Sequence, residues 1–272
     1  MIAPGELDAF VSAVDGRVGV YARNLTTGEE LTAGLAGERF PTGSAAKALV
    51  LAAYATAVEA GELDPHHRVE LDAAYRDARR GSGVLRHLSV GLSPTLEDCA
   101  TLMVIVSDNV ATDLLVDALG GASGVNAWRS ALGDPDVEIT AESVWVLPPA
   151  QFGMGSPKGL ADLWTRWHAD DPVAQRCRRI CWRQQHREGF GRYVPFSPDL
   201  VDFDLTSALG LWSKPGSYPT VSCEAGLFET AEAAWVLAVM ADELADWGNA
   251  SHNTGPTLRA EVSRYVFDRW CD

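Results

Sequence analysis

The chain has 272 residues, 47% of them hydrophobic and 22% charged, an ordinary globular composition with enough length for a large core. Its formal net charge of −15 disfavours contact with nucleic acid phosphates and anionic membrane surfaces, and suits a soluble protein acting on a small molecule. No apolar run approaches the roughly 20 residues that span a bilayer, and the start, MIAPGELDAFVSAV, lacks a basic region followed by an apolar one, so a cytoplasmic location is expected.

In chain order, a short amphipathic helix is predicted over Glu6 to Val14. RVGVYARN alternates as a strand, and LTTGEELTAG supplies a turn and a second strand. SAAKALVLAAYATAVEAGEL is rich in Ala and Leu with no Gly or Pro before Gly61, which predicts a long helix. Helical patterns continue through TLEDCATLMVIVSD, NVATDLLVDALGG, ASGVNAWRSALGD and PKGLADLWTRWHAD. Two prolines and two glycines between about 140 and 155 predict a loop. Strands return at LTSALGLWSKPG, TVSCEAGLFET and AAWVLAVMAD, and TGPTLRAEVSRYVFDRW closes the chain as a helix. Strands at both ends with helices between them predict an α/β part of 1–38 and 205–272, with one antiparallel sheet flanked by terminal helices. An all-α part, 39–204, is inserted, and a cleft is expected at their junction.

Three short motifs carry chemistry. In FPTGSAAKALV, Ser44 falls at the start of the long helix and Lys47 one turn on, on the same face. The apolar residues after Lys47 predict burial, which lowers a lysine's pKa and suits it to act as a base. In VIVSDNVATDLL, Ser107, Asp108 and Asn109 lie between two helices, where they are also good cap formers. In LWSKPGSYPTV, Lys214 precedes Pro215, Gly216 and Ser217 in a strand-like stretch, although Pro is confined to strand edges.

The order Ser-x-x-Lys, Ser-Asp-Asn, Lys-x-Gly, spaced by about 60 and then about 105 residues, resembles the penicillin-recognising serine enzymes, class A β-lactamases and penicillin-binding proteins. The resemblance runs from about residue 15 to the C-terminus and implies the β-lactamase-like fold. It implies that Ser44 is the nucleophile of an acyl-enzyme, that Lys47 helps remove its proton, and that Ser107 relays a proton to the leaving group. It further implies that Asn109 binds the substrate's amide side chain, that Asp108 braces the loop, and that Lys214 presents positive charge to Ser107 or a substrate carboxylate. The oxyanion hole would use the backbone N–H groups of Ser44 and Ser217, with Gly216 between Ser217 and Lys214.

Two departures mark an atypical member. Glu-x-x-Leu-Asn, which supplies the deacylating Glu in the hydrolytic enzymes, is absent. Laying LGDPDVEI on the family's Leu-Gly-Asp stretch puts Ser143 at that position and Glu142 one residue early, where a one-residue bulge would be needed to bring it into place. Pro215 stands where the family has Thr, removing a hydroxyl that helps hold a substrate carboxylate. The expectation is a serine hydrolase cleaving an amide, lactam or ester, with β-lactam hydrolysis doubtful. The alternatives are an acyltransferase in small-molecule biosynthesis and an acyl-accepting sensor without turnover. No cofactor or metal is implied. Cys177 and Cys181, with His186 nearby, lack the further ligands of a zinc site and read as packed thiols. Trp145, Phe152, Trp212 and Tyr218 read as core or cleft wall, and Arg79 and Arg80 as a solvated pair; the oligomeric state is left open.

Overall fold

The computed structural model describes residues 2–78, 81–141, 143, 152–203, 205, 207–246 and 250–271. Helix α1 (Leu7–Ser12) leads into strands β1 (Arg17–Asn24) and β2 (Glu30–Gly34), and β3 (Phe40–Pro41) precedes a 3-10 turn, Gly43–Ala46, that runs into α2 (Lys47–Glu59). Then come α3 (Ala73–Ala78), α4 (Leu96–Ile105), α5 (Asn109–Ala118), α6 (Gly121–Ala127), β4 (Val137–Ile139), β5 (Gly153–Gly155), α7 (Pro157–Thr165) and α8 (Pro172–Cys181). Strands β6 (Gly210–Tyr218), β7 (Val221–Glu229) and β8 (Ala234–Asp242) and helix α9 (Thr254–Cys271) complete the order.

The two chain ends build one antiparallel five-stranded sheet, ordered β2-β1-β8-β7-β6. Its central strands β7 and β8 are buried almost throughout, which explains their continuous apolar sequence: both faces of the sheet are covered. The period of two sorts their side chains. Val236, Ala238 and Met240 join the core under α2, while Trp235, Leu237, Val239 and Ala241 join a second core with Leu258, Val262 and Val266 of α9.

Helix α2 carries no polar face over its first turns. Residues Lys47 to Ala55 are all buried, and helices α4, α5 and α8 pack around it. The helices around it are capped by residues legible in the sequence: Thr95 and Asp98 form a reciprocal capping box on α4, and Ser156 and Asp171 cap α7 and α8.

One feature differs from the sequence expectation. Within 39–204 lies a second, three-stranded sheet, ordered β3-β5-β4. The end of the segment expected to be a loop, 140–155, is therefore strand β5, paired with Phe40–Pro41 on one side and Val137–Ile139 on the other. Two- and three-residue strands carry too little alternation to be seen in sequence, and their pairing is decided by distant partners. Helix α8 places Cys177 and Cys181 on its buried face as free thiols, both pushed up by burial.

Candidate active site

Ser44 does not cap the long helix. It sits inside the 3-10 turn that precedes α2, and that turn packs against β6. The approach is possible because residue 216 is glycine. A Cβ there would lie 2.3 Å from Thr42 O, 2.5 Å from Ala45 N and 2.7 Å from Ser44 N, all backbone atoms that cannot yield. Gly43 meets the strand from the other side, where a Cβ would lie 3.1 Å from Ser217 N. The amides of Ser44 and Ser217 are thus brought to one end of a cleft lined by Ser44, Ser82, Ser107, His186, Glu188, Lys214, Pro215 and Ser217.

Strand β6 is the sheet edge, and Pro215 sits in it without a bulge, opposite Glu224. The Pro215 carbonyl accepts from Lys214 Nζ at 2.7 Å. A strand residue points its N–H and C=O to the same side, so the missing Pro215 N–H lies on the unpaired edge and costs no ladder bond. Lys214 is opposite Ala225, whose side chain belongs to the helix-side core, so Lys214 also points towards the helices.

Ser107 holds a left-handed conformation, φ 56°, in the tight turn between α4 and α5. Asp108 makes that turn rigid. One carboxylate oxygen caps α5 at Ala111 N (3.0 Å), and the other accepts from Val84 N (2.6 Å) and Leu85 N (2.8 Å). Gly83 leaves the room this needs, since a Cβ there would fall 2.3 Å from Asp108 Cγ.

The two lysines meet at Ser107. Lys47 Nζ lies 2.8 Å from Ser107 O, 2.8 Å from Asn109 Oδ1 and 3.2 Å from Ser107 Oγ. Lys214 Nζ donates to the same Oγ, also at 3.2 Å. Both side chains are buried. Burial, then the Lys214 charge, holds Lys47 well below the ordinary lysine range, against the opposing pull of Asp108 and Asp113. Burial lowers Lys214 to about 7, opposed chiefly by Glu224. Beneath Lys214, Glu224 accepts from Ser213 Oγ (2.8 Å) and from the buried Arg259 (3.3 Å), and burial pushes its carboxyl up.

This arrangement can move a proton. The Ser107 carbonyl and the Asn109 amide oxygen only accept, so a neutral Lys47 amine spends both N–H groups on them. Its lone pair is then left for a proton from Ser44, or for the Ser107 hydroxyl. Once protonated, Lys47 donates its third N–H to Ser107 Oγ, and the Ser107 proton is released towards the cleft.

Glu142, Trp145, Arg79 and Arg80 lie outside the described residues. Ser143, aligned with the deacylating Glu, donates from Oγ to Oδ2 of the buried Asp113 at 2.5 Å. Phe152 and Tyr218 line a neighbouring hollow with Gly43 and Pro219, while Trp212 packs on Trp182 beside the helix-side core. Sequence reading did not nominate Ser82, His186 or Glu188 for the cleft; of these, only His186 drew attention, and that for metal. Among the described residues no cluster of three or more His, Cys, Asp or Glu is placed to hold a metal ion. No helix among them is long and apolar enough to cross a membrane.

The family model described as "Beta-lactamase enzyme family" matches residues 5–270. The chain belongs to this family. It is a serine hydrolase of the β-lactamase fold. Over 215 residues it is 26% identical to β-lactamase SME-1 of Serratia marcescens, covering 76% of this chain and 71% of that one. The crystal structure of a β-lactamase from Sphaerobacter thermophilus superposes with a TM-score of 0.83 at 28% identity, covering 97% of this chain and 95% of that one. PBP-A shares the fold, with a TM-score of 0.80 at 23% identity over 97% and 94% of the two chains.

Proposed function

We propose that this β-lactamase family member cleaves an amide, lactam or ester bond through an acyl-Ser44 intermediate, on a small substrate that does not depend on a penicillin-like carboxylate. The observation that carries this reading is the convergence of Lys47 and Lys214 on the Ser107 hydroxyl in the cleft that contains Ser44. Lys47, low in pKa and one turn from Ser44, is the base that takes the serine proton. The backbone N–H groups of Ser44 and Ser217 stabilise the oxyanion, and the proton passes through Ser107 to the leaving group. Pro215 offers neither hydroxyl nor N–H on the substrate edge, which weakens the hold on a carboxylate. Asn109, already engaged with Lys47 through Oδ1, borders the amide side of the substrate.

A second reading, transfer of the acyl group to an amine or its slow release, is favoured by one observation. The residue aligned with the deacylating Glu is Ser143, held by Asp113 rather than presenting a carboxylate. A fluorescent penicillin, a chromogenic cephalosporin and a p-nitrophenyl ester, followed by intact-protein mass spectrometry, test both. An adduct on Ser44 that is absent in Ser44→Ala supports the acyl-enzyme route, and its lifetime separates hydrolysis from slow release. Full activity in Ser44→Ala would overturn the mechanism.

A further inference from the structure

The segment after α8 is stitched across the two elements that deliver Ser107 and Lys214. Gln184 Nε2 donates to Val104 O (3.0 Å) near the end of α4 and to Ser213 O (3.2 Å) on β6. Gln185 N donates to Ile105 O (3.0 Å), and Gln184 Oε1 accepts from His186 N (3.0 Å). These bonds carry His186 and Glu188 into the cleft with Ser44 and Ser107.

His186 lines the cleft beside Ser44 and Ser107, and its backbone N–H, donated to Gln184, holds the residue at the wall. A neutral imidazole carries a proton on one ring nitrogen and keeps a lone pair on the other. Glu188 Oε1 stands 3.8 Å from His186 Nδ1, too long for a direct hydrogen bond but close enough to favour the ring once it is protonated. Both side chains are only partly exposed, 35% and 20%, so they reach solvent from within the cleft wall.

Resting on the acyl-Ser44 reading, we infer that His186, assisted by Glu188, is the general base that activates the acyl acceptor. It would supply the function for which the family's deacylating Glu is missing. The acceptor's O–H or N–H proton passes to the free imidazole nitrogen as its oxygen or nitrogen bonds to the acyl carbon. Collapse of the adduct breaks the acyl–Oγ bond, and Ser44 Oγ takes a proton back from the imidazolium through the Ser107 hydroxyl. The imidazole is kept neutral for this work by burial and the Lys214 charge, with Arg259 acting in the same direction and Glu188 opposing. General-base assistance of this kind contributes about 10²–10⁴-fold.

The test separates formation of the acyl-enzyme from its release. With the chromogenic cephalosporin and the p-nitrophenyl ester, His186→Ala should still take up one acyl group on Ser44. Release should slow by about 100-fold or more, and added imidazole should restore part of it. Glu188→Gln should slow release less and shift its pH profile. An adduct lifetime within about twofold of wild type, or a slowed release that imidazole does not recover, would overturn the inference while leaving acyl-Ser44 intact. If wild type forms no adduct with either probe, the acyl-Ser44 reading fails and takes this one with it.

Discussion

Lys214, on the edge strand, donates to the hydroxyl oxygen of Ser107 at 3.2 Å, joining the sheet to the turn between α4 and α5. The contact closes one side of the cleft and places a cation in a dry setting. Its consequences extend from proton transfer to the pH dependence of folding.

The folded pKa of Lys214, about 7, is depressed from the unfolded value near 10.5. Between those values the unfolded chain binds a proton that the native chain does not, so stability from this group rises with pH from about 7 to about 10.5. Below pH 7 both states are protonated and the native state carries the full cost of a buried ammonium. In urea titrations, the stability of wild type relative to Lys214→Met should therefore improve on the order of 3 kcal/mol from pH 7 to pH 10. An unchanged gap would show that Lys214 keeps an ordinary pKa.

Gly216→Ala should damage both stability and catalysis. Its Cβ would collide with the backbone of Thr42, Ser44 and Ala45, forcing the 3-10 turn off β6. Overpacking costs about 1–3 kcal/mol, measured by chemical denaturation. Misplacing the oxyanion donors should lower kcat by about 10²–10³. A variant of wild-type activity would place the oxyanion hole elsewhere.

Asp108→Ala removes the acceptor of three backbone N–H groups, those of Ala111, Val84 and Leu85. Destabilisation on the order of 3 kcal/mol is expected from the lost cap and the orphaned donors. Activity should fall further than stability alone explains, because Ser107 and Asn109 flank the residue. Kinetics well below the melting transition, set beside a thermal unfolding curve, distinguish the two effects.

Pro215→Thr restores a hydroxyl and an N–H on the open edge of β6. Since the proline breaks no ladder bond, Tm should change little. KM for a penicillin should fall several-fold, while that for an uncharged ester stays the same. Equal changes for both substrates would mean that this edge does not read the carboxylate.

Much of the site was legible in the chain. The burial of Lys47 followed from the unbroken apolar run of α2. The strand carrying Lys214 was visible despite Pro215, because Leu211, Trp212 and Val221 frame it with apolar and aromatic residues, and the family resemblance supplied the order in which the motifs matter. The strands β3 and β5 were not legible, being too short to show a period. Neither were the contacts of Ser143 with Asp113, nor the entry of His186 and Glu188 into the cleft, since no local pattern marks a residue whose partners lie far along the chain.

By itself, then, the sequence marked the long helices, the strands of the large sheet and the motifs that hold Ser44, Lys47, Ser107 and Lys214, because helix and strand periods and motif spacing are local. Only the tertiary structure decided that both lysines share one hydroxyl, that Pro215 faces the open edge, and that an imidazole and a carboxylate occupy the cleft wall. Those facts depend on which elements pack together, and packing is settled by the burial of the whole chain rather than by any segment of it.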